Sequence, residues 1–344
     1  MTPDTTPSSA PTGLRPADLC PPEALDGHAA AFERDFARVL ARRDEFVHVP
    51  CPACGADAPR PAIRKRGFAW VTCPDCDTLY MTPRPSEAVL ADHYATSEGY
   101  AYWAQHVYPA SERVRLERIN RPWLTRIAGY CDLFGVPRGT LLEVGAGFGV
   151  FAGLAHESGA FERVIAVEPT PTGAAACRDR GVEVVEAGIE DAAELLPQVD
   201  VACSFETIEH LFDPGRFVAD VARVIRPGGL LVLSCPNSAG FDIRELWERS
   251  PYVDPEHINL FTPRSLSGLL ERSGFTVESV ITPGRLDAEW VREAVLAGEH
   301  ELGKRSFLRR VLIDEWETMG GPFQRFLAEN GLSSHMWIAA RRDV

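Results

Sequence analysis

The sequence predicts an α/β fold: a seven-stranded, mainly parallel sheet, a small metal-stapled N-terminal domain, and a helical insert before the last strand. Three observations carry this. Apolar runs alternate with helical periodicity from residue 140 onward, the first such run ends in three glycines at every second position, and two C-x2-C pairs stand eighteen residues apart.

The first strand, Leu141-Leu142-Glu143-Val144, feeds directly into Gly145-Ala146-Gly147-Phe148-Gly149. Glycines there remove side chains where the backbone crosses a ligand, and the helix that follows offers free N–H groups to it. A dinucleotide fingerprint, G-x-G-x-x-G, needs glycine at position 150, where this chain has valine. Val164-Ile165-Ala166-Val167 is a second buried strand ending in Glu168, and a carboxylate at that point offers two oxygens to a vicinal diol. Strand three, at 182–185, runs into Gly188-Ile189-Glu190-Asp191, and strand four is Asp200-Val201-Ala202-Cys203-Ser204-Phe205. Arg226-Pro227-Gly228-Gly229 turns the chain into strand five at 230–234. Strand six follows at 276–282. Strand seven, at 334–340, comes only after about fifty residues with helical patterns at 288–302 and 307–330. An insert of that size suits a lid or an association surface.

The spacing E-x-G-x-G-x-G from Glu143 to Gly149, the acid at 168 and the RPGG turn together resemble class I S-adenosylmethionine-dependent methyltransferases, over about residues 115–283. The resemblance implies a Rossmann-like sheet with S-adenosylmethionine as cofactor. It places Glu143, Gly145, Gly147, Gly149, Glu168, Ile189 and Phe205 at the cofactor, with Glu190 or Asp191 meeting the adenine amino group. A helix N-cap is the other role open to those two acids.

Cys51-Pro52-Ala53-Cys54 and Cys73-Pro74-Asp75-Cys76 are two thiolate knuckles flanking a short hairpin around 68–71. A pair at this spacing reads as a tetrahedral zinc site, structural because four thiolates leave no open position; iron–sulfur ligation fits the symmetric spacing less well. Cys20, Cys131, Cys177, Cys203 and Cys235 are scattered, with Cys203 and Cys235 at strand ends read as packing residues. The segment Leu79-Tyr80-Met81-Thr82-Pro83-Arg84-Pro85, with Tyr94, resembles methyltransferases of sugar and polysaccharide pathways.

Two segments supply candidate chemistry. In Phe205-Glu206-Thr207-Ile208-Glu209-His210-Leu211, a helix would set Glu206, Glu209 and His210 on one face. Pro255-Glu256-His257-Ile258-Asn259 leads to a helix at 264–273 capped by Thr262. E-x-x-E-H with a later histidine resembles the divalent-cation set of small-RNA 3′-end methyltransferases and ubiquinone-pathway O-methyltransferases. That resemblance implies a second metal held by Glu206, Glu209, His210 and His257. Glu256-His257 also resembles the Glu-His pair of sugar C-methyltransferases, with His257 as general base, although the tyrosines that accompany that pair are not at matching positions here. The catalytic candidates are therefore His257, Glu256 and His210. His28, His48, His93, His106, His156, His300 and His335 have no constellation around them in the sequence.

The organisation expected is a disordered stretch at 1–20, a helical lead-in at 21–50, the ribbon at 51–85, a helical linker at 86–135, the cofactor-binding core at 136–285, the insert at 286–331 and the last strand at 332–344. A net charge of −14 disfavours a nucleic-acid partner, and basic clusters around 60–66 and 304–310 read as solvated faces. No apolar run is long enough to span a bilayer, and the Thr/Pro/Ser-rich start has no secretory pattern, so a cytoplasmic enzyme is expected. Its acceptor is expected to be small and polar, with a nucleotide- or glycan-linked sugar hydroxyl first. C-methylation of a nucleotide-linked keto-sugar, RNA methylation, and a cofactor-binding scaffold without turnover are the alternatives. A homodimer is one use for the insert.

Overall fold

The computed structural model describes residues 14–344. Its strands, in chain order, are β1 (Arg60–Lys65), β2 (Phe68–Thr72), β3 (Leu79–Met81), β4 (Thr140–Val144), β5 (Arg163–Val167), β6 (Glu183–Val185), β7 (Val199–Phe205), β8 (Ile225–Pro236), β9 (Asn259–Leu260), β10 (Phe275–Ile281) and β11 (His335–Arg342). The seven expected strands of the core form one sheet in the order β10-β11-β8-β7-β4-β5-β6. Only β11 runs against its neighbours, β8 and β10; β4 to β8 pair in parallel. Side chains alternate across the sheet, so Leu141 packs with Leu124, Ile127 and Phe151 in one layer and Leu142 with Val218, Val221 and Ile208 in the other. Strand order reverses between β4 and β7. The crevice at their carboxyl ends is where such sheets bind ligands.

A second sheet, β9-β3-β2-β1, joins the N-terminal ribbon to the core. β1 and β2 are the expected hairpin, and β3 pairs antiparallel with β9, Tyr80 opposite Asn259 and Leu79 opposite Leu260. The segment carrying Glu256 and His257 thus enters the ribbon sheet as its fourth strand. Trp70, 1% exposed, donates its indole N–H to the His257 carbonyl (3.0 Å), and the Met81 amide bonds the Ile258 carbonyl (2.8 Å). From the other side, the Asn259 amide bonds the Leu211 carbonyl (2.7 Å), and the Lys65 ammonium holds the carbonyls of Ser250 and Val253. Phe46–Val47 pairs with Arg84–Pro85, so the ribbon's pairing starts before residue 51.

The expected disorder at 1–20 does not hold for its described part: Pro16–Leu19 is a helical turn, with Arg115 donating to the Leu19 carbonyl (2.9 Å). Residues 1–13 lie outside the described residues. The helical linker expected to end at 135 finishes as Tyr108–Arg115, a π turn at Leu116–Asn120, and Arg121–Phe134, ending at left-handed Gly135. Pro122 has no N–H for the Arg118 carbonyl, and the Arg285 guanidinium supplies that bond instead (2.7 Å). In the insert, Asp287–Leu296 stops short of 302, with Gly298 at φ 74°; the later helix is broken into Ser306–Arg309, a π turn at Arg310–Asp314, and Trp316–Glu329, which contains Pro322. Val291, Val311, Leu312 and Leu327 close a separate apolar cluster against Leu246. No helix among the described residues is long and apolar enough to cross a membrane.

Truncating Trp70 to alanine is expected to cost about 3–5 kcal/mol in urea denaturation, since it empties the ribbon core and removes the donor to the His257 carbonyl.

Candidate active site

The glycine turn folds back over β5. Gly145 N–H bonds the Val167 carbonyl (2.8 Å), and all three glycines hold positive φ (75°, 54° and 67°). At Gly149 a Cβ would sit 2.6 Å from Cys177 Sγ and 2.9 Å from its Cα; at Gly145 it would meet Thr207 Oγ1 at 2.8 Å; at Gly147 it would meet nothing within 4 Å. Gly145 and Gly149 are needed for close packing, and Gly147 leaves open space. Glu168, buried, points back at this turn: Oε2 accepts Gly147 N–H (2.8 Å), and Oε1 accepts the Thr170 amide (2.9 Å) and hydroxyl (2.5 Å).

Glu143 lies beneath the turn, 4% exposed, with Oε2 unpartnered. Burial raises its carboxyl to about 8 against an opposing Ala152 N–H, so it is a neutral acid at neutral pH. Ile189 is buried at the start of the short helix Ile189–Ala192, while Glu190 and Asp191 are exposed there and Glu190 folds back over Gly188. Phe205 sits between Trp123 (ring centroids 4.5 Å) and Phe151 (4.8 Å).

Across the crevice the structure brings Glu209, His210 and His257 together, with one potential ligand atom from each within 4.8 Å of the others. Glu209 is fully buried with neither oxygen partnered, and burial followed by the neighbouring Glu206 pushes its carboxyl well above the usual range. His210 Nδ1–H donates to the Glu256 carbonyl (3.1 Å) and His257 Nδ1–H to the Tyr252 carbonyl (2.8 Å). Because a carbonyl only accepts, each ring when neutral is held in the tautomer whose Nε2 carries a lone pair. Burial first and His257 second hold His210 down to about 3, so it is neutral.

Two sequence expectations need correction here. The segment after β7 is not a helix from Glu206: that residue sits at φ 49°, and only Ile208–His210 forms a 3-10 turn. Glu206 therefore leaves the Glu209–His210 face and bonds Ser234 Oγ (2.7 Å) and His335 Nε2 (3.0 Å). Glu256 likewise turns from His257: its carboxylate meets His93 Nε2 (3.0 Å), and its carbonyl is what orients His210. Burial raises the Glu256 carboxyl to about 7 against the His93 bond. His93 and His335, without a constellation in the sequence, thus each serve a site carboxylate. No linear motif marks them, because the contacts join positions 129 and 163 residues apart.

The cysteines satisfy the other metal expectation. Cys51 and Cys76 sulfurs lie 3.5 Å apart, as do those of Cys54 and Cys73, and all four sulfurs fall within 4.8 Å of one another. Zn–S bonds of about 2.3 Å put tetrahedral sulfurs about 3.8 Å apart, so the set fits zinc. Each knuckle closes with a positive-φ residue, Gly55 and Asp77, four positions after its first cysteine.

A sheet with a glycine turn after its first strand and an acid at the end of its second defines a nucleotide-type cofactor-binding domain. Residues 112–280 match the family described as a methyltransferase domain, and the chain carries such a domain. A probable S-adenosylmethionine-dependent methyltransferase of Mycobacterium tuberculosis is 36% identical over 137 residues, 39% of this chain and 48% of that one. A ubiquinone biosynthesis O-methyltransferase of Salmonella newport is 29% identical over 230 residues, 64% of this chain and 87% of that one. This chain spans about half the length of the first of these relatives. Among solved structures, a putative methyltransferase of Haloferax volcanii, in complex with the Trm112 methyltransferase activator, aligns at TM-score 0.47 and 14% identity over 72% of this chain and 98% of that one.

Gly149→Ala is expected to destabilise the protein by about 1–3 kcal/mol in thermal or urea unfolding, from the clash with Cys177. Elemental analysis of the purified protein is expected to find one zinc per chain, lost in Cys73→Ser together with part of the melting temperature.

Proposed function

We propose that the protein transfers a methyl group from S-adenosylmethionine to a hydroxyl of a small polar acceptor, with a nucleotide- or glycan-linked sugar first among acceptors. The observation that carries this is the convergence of Glu209, His210 and His257, both Nε2 lone pairs free, across the crevice from the glycine turn. The likeness to a ubiquinone biosynthesis O-methyltransferase supports oxygen as the accepting atom.

S-adenosylmethionine supplies a methyl carbon open to in-line attack. The chain's part is to hold it and to prepare the acceptor. Glu168, already aimed across the turn by the Gly147 and Thr170 donors, presents its two carboxyl oxygens to the ribose hydroxyls. Gly147 leaves the backbone approachable, and Phe205, wedged between Trp123 and Phe151, gives the crevice a rigid apolar wall.

Glu209, His210 and His257 fit a divalent cation: a buried carboxyl with both oxygens unpartnered, whose ionised form a cation would favour, and two imidazoles whose Nδ1 atoms are held by carbonyls, as metal-bound histidines are. A cation there would lower the pKa of a hydroxyl beside it. Glu206 and His335 lie next to this group as a separate hydrogen-bonded pair able to orient the acceptor. A specific observation also favours a second reading: the free Nε2 of His257 suits a general base for C-methylation.

Chelation followed by dialysis is expected to abolish transfer of labelled methyl, with rescue by Mg²⁺ or Zn²⁺. Unchanged rates in stripped enzyme, with activity still lost in His257→Ala, would reverse the choice in favour of the base. Glu168→Ala is expected to weaken S-adenosylmethionine binding by about 10- to 100-fold in calorimetry, the value of charge-assisted hydrogen bonds.

A further inference from the structure

A cavity of about 140 Å³ lies beside the methyl-transfer crevice, between the helix that carries Trp123 and the start of the insert. Its walls include Arg118, Arg126 and Arg285 from three different turns of chain, with Trp123 and Trp290 as flat faces and His335 at the crevice side. Trp123 packs on Phe205 and stacks nearly parallel to His335, which bonds Glu206 (3.0 Å); the cavity is therefore one layer of side chains from the carboxyl end of β7.

None of the three guanidiniums forms an ion pair with a carboxylate among the described residues, and the charges that reach Arg285 are those of Arg126 and Arg118, which after burial depress it further. Arg285 is held in place by its bond to the Arg118 carbonyl, the acceptor that Pro122 leaves open, and Arg126 lies over the Trp337 ring (5.8 Å). These contacts keep like charges together at the wall of one small space.

The remaining polar groups point the same way. The indole N–H groups of Trp290 and Trp337 are buried without acceptors. Of the two acids, Asp287 is occupied by Ser333 Oγ (2.6 Å), Gln324 Nε2 (2.6 Å) and the Ser334 amide. Asp242 is fully buried with neither oxygen partnered, and burial, then Asp287, drives its carboxyl well above the usual range, so it adds no negative charge. Apart from these two acids, the wall is a set of donors and cations waiting for oxygens.

We propose that this cavity binds a phosphate ester of the acceptor, with Arg118, Arg126 and Arg285 holding the phosphate oxygens and Trp123 or Trp290 covering the group attached to it. This rests on the methyl-transfer reading above, whose acceptor it describes. A dianionic phosphate matches three guanidiniums better than a single carboxylate does, and fork-shaped donors suit its tetrahedral face.

The test is calorimetric titration of the full chain with inorganic pyrophosphate, with malonate and glucose as carboxylate and neutral probes. One saturable pyrophosphate site is expected, weakened about 10- to 100-fold in Arg285→Gln and in Arg126→Gln and partly restored in Arg285→Lys. S-adenosylmethionine affinity is expected to stay at the wild-type value in all three variants, separating lost anion contacts from a damaged fold. Absence of pyrophosphate binding, equal binding in the variants, or malonate binding as tightly as pyrophosphate would overturn the assignment. The titration reads equilibrium binding alone, so failure of methyl transfer and failure of this site are told apart.

Discussion

The pairing of β9 with β3 is the constraint from which the rest of the site follows. Two residues, Asn259 and Leu260, complete the ribbon sheet, and the stretch immediately before them carries His257. Its carbonyl is held by Trp70, and the next carbonyl by Met81, so the imidazole's position is fixed by the ribbon. Asn259 extends the same control to the β7 loop through the carbonyl of Leu211. The cysteine knuckles, distant from the chemistry in sequence, belong to the platform that sets the distance between His210 and His257, whose rings stand 4.8 Å apart.

Burial gives the crevice its electrical character. Glu209 and Glu143 are carboxyls kept from water with unsatisfied oxygens, an arrangement that costs free energy unless a ligand or a proton relieves it. Glu206 avoids that cost by pairing: burial works to raise it, but His335 and Ser234 outweigh this and leave it below the ordinary range. Two acids three residues apart are thereby driven in opposite directions, and separated acid strengths of this kind are common where a protein handles protons.

Most of the sheet was legible because buried parallel strands are continuous apolar runs that glycine and proline punctuate. Glu168 and the four cysteines were legible because their chemistry depends on short spacings. Glu206 was misplaced because the reading assumed a helix, whereas the residue adopts φ 49° and swings its side chain toward Ser234. His93, His335 and the three cavity arginines were not legible at all: each is one polar residue in a helix, strand or loop until the fold sets its neighbours beside it. The weld between ribbon and core was hidden for a different reason. A two-residue strand has no periodicity to detect, and its identity is set by the edge it joins.

That edge has a bearing on how the molecule is made. β3 is Leu79-Tyr80-Met81, wholly buried in the finished fold, and β9 covers one side of it. The contacts that seal it join residues such as Trp70 and His257, 187 positions apart, which is a high-contact-order closure and therefore slow to form. Until it forms, a ribbon already folded exposes an apolar edge strand, the kind of surface that pairs with another chain. The feature that ties the histidine into place thus makes the growing chain most vulnerable to aggregation before its second half has arrived.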